Sequence, residues 1–202
     1  MKYPILASFI LFILILRHNI RRANRMQEKN EKTFWELESE ANSTRRKPMD
    51  DLEYVKIPLD QLPTEVLAED PLVTDCIGML KELEGKPIVN LTGYTNTELK
   101  LRYGAPSITE LMRYDENYTL LVQTCQKWAN FLWEKGKTEA AVVIMEYEIS
   151  IGADVSGAYR KLATHYKKTG HPEKIQDLIR SAQQLRSLTK NSILEYLREA
   201  AG

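Results

Sequence analysis

Three histidines and two cysteines are the side chains of this 202-residue chain with the widest chemical repertoire. A zinc site would need three or four of them, or carboxylates beside them, brought together as ligands. His18 follows an apolar run, and His165 and His171 bracket a lysine-bearing turn, "HYKKTGH", so none has a second ligand at metal spacing. Cys76 and Cys125 lie far apart, with no CxxC and no neighbouring histidine. They read as two buried or half-buried thiols in a reducing compartment, not as a disulfide or metal framework. The sequence contains no GxxxxGK[ST], GxGxxG, GxSxG or HExxH. Its many carboxylates are patterned as solvated, and none is paired in the apolar setting that acid–base work requires. No catalytic, cofactor-binding or metal-binding residue is assigned, no small-molecule substrate is evident, and the expectation is a non-enzymatic protein.

Charge narrows the partners further. Lys+Arg and Asp+Glu both number 28, so the net charge is zero, which argues against a general nucleic-acid binder. A hydrophobic fraction of 43% beside a charged fraction of 28% suits a folded, water-facing body.

The elements that must position any site begin with "YPILASFILFILIL", Tyr3–Leu16, an uncharged apolar run. As a helix its 14 residues rise about 21 Å, and adding His18-Asn19-Ile20 brings the segment closer to a hydrocarbon core of about 30 Å. Residues 1–20 are therefore expected to be an uncleaved transmembrane anchor. A signal peptide is the competing reading, but "RHNIRRANR" stands where small residues should precede cleavage. Arg17, Arg21, Arg22 and Arg25 follow the run, so the bulk of the chain is expected to be cytoplasmic, in a single-pass membrane protein. Residues 21–48 read as a charged juxtamembrane helix and turn, with Glu28–Lys32 as an i,i+4 pair. Phe34 and Trp35 interrupt its polarity, as a docking spot or as packing against the protein's own body. Residues 49–117 mix extended and helical segments. Asp70, Pro71 and Gly85 bound one helix, with Leu72, Cys76, Met79, Leu80 and Leu83 as its apolar stripe. Asn96 or Thr97 is expected to cap a short helix ending before Gly104, and Ser107, with Glu110, the next one. Asn90-Leu-Thr matches the glycosylation sequon but is discounted on the cytoplasmic side.

Residues 118–202 carry an internal periodicity. Aligning Val122–Val155 with Ser156–Thr189 matches Lys127/Lys161, Ala129/Ala163, Gly136/Gly170 and Glu139/Glu173. Position by position the agreement is broader. The first copy offers Cys125, Trp128-Ala129, Leu132, Gly136, Ala141 and Met145. The second offers Tyr159, Leu162-Ala163, Tyr166, Gly170, Ile175 and Ile179. The alanines let two helices approach closely, the glycines can take the left-handed conformation that ends a helix, and Asp154 is placed to cap the helix beginning at Val155. In these positions the chain, over about residues 118–200, resembles the tetratricopeptide repeat family. It departs from that pattern at Cys125, at Ile175, and at Ala153 and Ser187, where proline is usual. Ile193, Tyr196 and Leu197 fall in register with a third first-helix, which reads as a terminal cap. The whole arrangement is similar to bacterial proteins with one membrane anchor and a repeat-containing cytoplasmic part.

The resemblance implies an all-α fold and a concave surface lined by first-helix side chains. By register that candidate peptide groove is Gln126, Asn130, Trp133, Arg160, Thr164, Lys167 and Lys168. An aromatic ring with several cations suits an acidic or C-terminal peptide, and a solvated lysine face with Trp133 packed on its neighbour is the plainer alternative. The expectation is a membrane-anchored adaptor binding a protein or peptide. The alternatives are an enzyme or enzyme-accessory subunit with its site in residues 52–104, and an envelope-side form of the same module.

Overall fold

Asp70, Pro71 and Gly85 place the ends of the second helix where the sequence puts them. In the computed structural model, which describes residues 3–201 without the side chains of residues 3–11, 13–15, 28 and 29, Asp70 accepts a hydrogen bond from the Leu72 N–H at 3.0 Å. Pro71 takes the first helical position and Gly85 the cap. The buried face is Val73, Cys76, Leu80 and Leu83; Leu72 and Met79 are half-buried beside it. The stripe is therefore turned by one residue, from Leu72 to Val73.

Among the described residues the protein is all-α. Its eight α-helices are α1 (Tyr3–Ser43), α2 (Pro71–Glu84), α3 (Asn96–Tyr103), α4 (Ile108–Glu134), α5 (Thr138–Ser150), α6 (Ser156–Thr169), α7 (Glu173–Gln184) and α8 (Lys190–Ala201). Among those residues no helix is long and apolar enough to cross a membrane. The transmembrane anchor expected at residues 1–20 is thus unsupported among the described residues. Most of the apolar run Tyr3–Leu16, and Glu28 of the expected Glu28–Lys32 pair, lie outside the described side chains.

The chain forms two units, neither of them continuous in sequence. One takes the chain up to Lys47 together with Thr95–Ile108; the other takes Pro48–Tyr94 together with the chain from Thr109 onward. In the first unit α1 and α3 pack with Ala41, Leu99 and Tyr103 buried. Glu38 accepts from Lys100 Nζ at 2.5 Å and from Thr97 Oγ1 at 2.6 Å, while Lys100 also reaches Asn42 Oδ1 at 2.8 Å. Those bonds hold the Glu38 carboxyl below its ordinary pKa. Thr95, not Asn96 or Thr97, caps α3, in a full capping box with Glu98. Ser107, expected to cap the next helix, is buried in a 3-10 turn and its hydroxyl donates back to the Tyr103 carbonyl at 2.9 Å. Phe34 and Trp35, read from the sequence as a docking spot or as packing on the protein's own body, are 53% and 67% exposed and stack edge to face on one another.

In the second unit the continuous α4 replaces two expected elements, the helix expected after Ser107 and the first helix of the repeat. The extended segment before α2 pairs with the segment after α2, with Val55 N–H bonded to the Ile88 carbonyl at 2.9 Å. Asn90 ties this layer to α4 and to the end of α5. Its amide donates to Tyr118 OH at 2.9 Å and to the Gly152 carbonyl at 3.2 Å, a structural post for the discounted sequon.

The 34-residue periodicity is visible in the backbone. Lys137 N–H bonds to the Leu132 carbonyl at 2.8 Å, and His171 N–H bonds to the Tyr166 carbonyl at 2.8 Å, the same helix-ending bond one period apart. Gly136 and Gly170 make it possible at φ 72° and 79°. Cys125, Trp128, Ala129, Leu132, Ala141 and Met145 are all buried, and so are Tyr159, Leu162, Ala163, Tyr166, Ile175 and Ile179. Ile193 and Leu197 of α8 are buried in register, with Tyr196 half-buried. Asp154 does not cap α6; its carboxylate accepts from Thr189 Oγ1 at 3.1 Å. Since Ala163 has no exposed surface, Ala163→Leu is expected to overpack the α6 contact and lower stability by about 1–3 kcal/mol. Urea denaturation checks this, and an unshifted midpoint would mean that the helices do not need a small residue there.

Candidate binding surface

Five of the seven residues of the sequence-derived groove fall into two groups. Asn130 and Trp133 on α4 are brought together by a residue outside the expected set, Lys161 of α6. Its Nζ donates to Asn130 Oδ1 at 2.6 Å and stands 5.5 Å from the centroid of the Trp133 ring. Trp133 is half-buried and packs against the core, as in the plainer alternative, but its remaining surface lies under a cation. The second group follows α8. The Arg160 guanidinium lies 5.2 Å over the Tyr196 ring, Thr164 Oγ1 is 3.4 Å from Tyr196 OH, and Lys167 Nζ donates to the Ala200 carbonyl at 3.3 Å. These three side chains help seat the terminal helix. Gln126 is half-buried and Lys168 exposed.

A hollow of about 200 Å³ lies on a different face, lined by Glu146, Ile149, Tyr166, Lys174, Asp177 and Leu178. Tyr166 OH donates to Glu146 Oε1 at 2.5 Å, and Lys174 Nζ reaches the same oxygen at 3.2 Å. Burial, and then the bond to Glu146, raise the Tyr166 hydroxyl above its ordinary pKa. The polar groups of this hollow satisfy one another, and half-exposed pairs of this kind are worth about 0–1 kcal/mol.

The strongest electrostatic anomaly is in the core. Glu148 of α5 is 1% exposed and hydrogen-bonds no group among the described residues. Burial pushes its carboxyl up to about 8, against a weaker opposing pull from Lys161. Its charge in turn helps raise Cys125 and Tyr118 on α4, after burial itself as the main cause. Trp128 Nε1 and Tyr159 OH are likewise buried without a partner among the described residues. The sequence held the signal. Glu148 lies on the apolar stripe Ala141, Ile144, Met145, Ile149, and one period later the same position is Ala182. Reading the carboxylates as uniformly solvated missed it.

The residues of widest chemistry have structural surroundings. Cys76 and Cys125 are free and buried, and burial raises both thiols, which suppresses the reactive thiolate. His165 Nε2 is 3.9 Å from Glu139, and His171 Nδ1 is 3.1 Å from Glu173. Comparison with protein families, with curated proteins and with solved structures found no match to this chain.

Proposed function

We propose that the protein is a non-enzymatic adaptor, held at a membrane by its N-terminal helix, with the bulk of the chain cytoplasmic and the α4–α8 hairpins binding an acidic segment of a partner protein. One observation carries the binding part. Asn130, Lys161 and Trp133 form a preassembled cation–aromatic–amide cluster, and Arg160, Lys167 and Lys168 continue the positive charge along α6. A planar carboxylate bonds readily to a guanidinium or ammonium held in place by a neighbouring ring. The cluster's side chains are already fixed, so little rotamer entropy remains to be lost on binding.

Fluorescence anisotropy against acidic peptides, alongside crosslinked pull-down from cells, tests it. Arg160→Glu/Lys167→Glu reverses two charges but also touches the seat of α8. Lys168→Glu reverses an exposed charge and keeps α8 in place. Both are expected to weaken peptide binding, Lys168→Glu by about tenfold, or about 1.4 kcal/mol. Unchanged affinity and an unchanged set of partners in both variants would remove this surface. Protease digestion of intact cells tests the orientation: loss of the C-terminal helices without lysis would defeat the cytoplasmic assignment.

A further inference from the structure

The exposed part of α1 separates apolar and basic character more sharply than a polar linker helix would. Phe12, Leu16, Ile20, Ala23 and Met26 recur at i, i+4, i+8, i+11 and i+14, which stacks them on one side of the helix. Phe12, Leu16, Ile20 and Met26 are all exposed. Arg17 and Arg22 flank this stripe, while Arg21 and Arg25 fall on the opposite side, and all four are exposed. Charge is also divided along the helix. No carboxylate occurs before Glu28, and from there to Ser43 five glutamates face two lysines.

We infer that residues 12–27 of α1 lie along an anionic lipid bilayer surface instead of crossing it, with the stripe in the acyl boundary and the four arginines against lipid phosphates. This rests on the reading that the N-terminal helix meets a membrane, and it specifies how. A basic face opposite an apolar one is the arrangement that seats a helix in the plane of the headgroups. A crossing by residues 12–27 would instead carry Arg17, Arg21 and Arg22 into the hydrocarbon. Each arginine near a negative surface strengthens attachment by about fivefold, and salt screens that gain. The main rival occupant is a second copy of α1. Two such helices side by side would bring eight arginines together, four from each copy, with no carboxylate within the same stretch to offset them. Gln27 and Asn30 would also fall on the seam before Phe34 and Leu37 continue it. Lipid phosphate complements the charge that a second copy would repel.

Flotation of the full chain with vesicles decides between them. Binding is expected to phosphatidylcholine vesicles only when phosphatidylglycerol is added, and high salt should release it. Arg21→Gln/Arg25→Gln should weaken attachment by about 25-fold at low salt. Leu16→Gln/Ile20→Gln should abolish it while leaving the circular dichroism of the folded units intact. Equal binding to neutral vesicles, or retention through high salt and alkaline carbonate, would show insertion without surface attachment and overturn the inference. So would a sedimenting dimer that Leu16→Gln/Ile20→Gln dissociates in a protein that ignores vesicles. Peptide binding is measured without vesicles, so failure of the adaptor reading would leave these outcomes unaffected.

Discussion

Glu148→Gln will raise the stability of the protein at pH 8 and leave it nearly unchanged at pH 4. In the folded state burial lifts this carboxyl from its ordinary 4.5 to about 8. In the unfolded chain it ionises near the ordinary value. Between those two points the folded state holds a proton that the unfolded state has lost, so stability falls as pH rises through that window and levels off above about 8. Each unit of separation is worth about 1.4 kcal/mol, so the total is several kcal/mol. Glutamine keeps the shape of the protonated acid and cannot ionise. At low pH the two proteins should match, and at high pH the variant should melt higher. Lys161 on α6, and Cys125 and Tyr118 on α4, share the field of Glu148. The measurement is therefore the difference between variant and parent across pH, which cancels titrations the two have in common. Thermal unfolding at several pH values gives it directly. A variant that is less stable than the parent at pH 8 would show that the ionised carboxylate is stabilising, contrary to its burial.

Gly104→Ala will open the first unit. Gly104 has φ 91° and ψ 145°, a conformation close to one that only glycine adopts freely, and the strain for alanine is about 1–3 kcal/mol. Space is denied as well. A Cβ there would stand 2.3 Å from the Arg45 carbonyl oxygen and 2.6 Å from Arg46 Cα, both of them backbone atoms that cannot step aside. The contacts at risk are the bond from Lys47 N–H to the Tyr103 carbonyl and the bond from Ala105 N–H to the Thr44 carbonyl, each 3.0 Å. Their combined loss is expected to exceed about 3 kcal/mol of local stability. "RRK", Arg45–Lys47, is an exposed tryptic site whose backbone is tied down by this junction. Limited trypsin digestion should cut there roughly 100-fold faster in the variant. The urea midpoint of the α4–α8 hairpins should barely move. Unchanged cleavage would mean that the close approach at Gly104 does not hold the segment.

The parts of the fold that were readable are those set by local chemistry. Asp70 with Pro71 starts α2 because a side-chain acceptor and a missing N–H suit a helix start wherever it occurs in a chain. Gly136 and Gly170 end their helices because glycine alone enters the left-handed region without steric cost. The six aligned positions of each hairpin are buried together because period and size suffice to identify a core face. What failed depended on which of several competent neighbours, near or distant in the chain, a side chain actually meets. Thr95 and Asn96 are both competent caps, and Glu98, reaching back three residues, decides for Thr95. Phe34 and Trp35 read as a docking spot or as packing on the body; they are exposed, since no other part of their unit covers them.

The candidate surface divides in the same way. Helical spacing alone put Asn130 with Trp133, and Arg160 with Thr164 and Lys167, on common faces. It was silent on Lys161 joining the first pair and on α8 engaging the second set. Glu148 is the plainest case. Its place on an apolar stripe was written in the sequence, but its proton affinity was not. A carboxylate's charge is stabilised by water, and how much water reaches position 148 is settled only when α5 packs into the hydrophobic core.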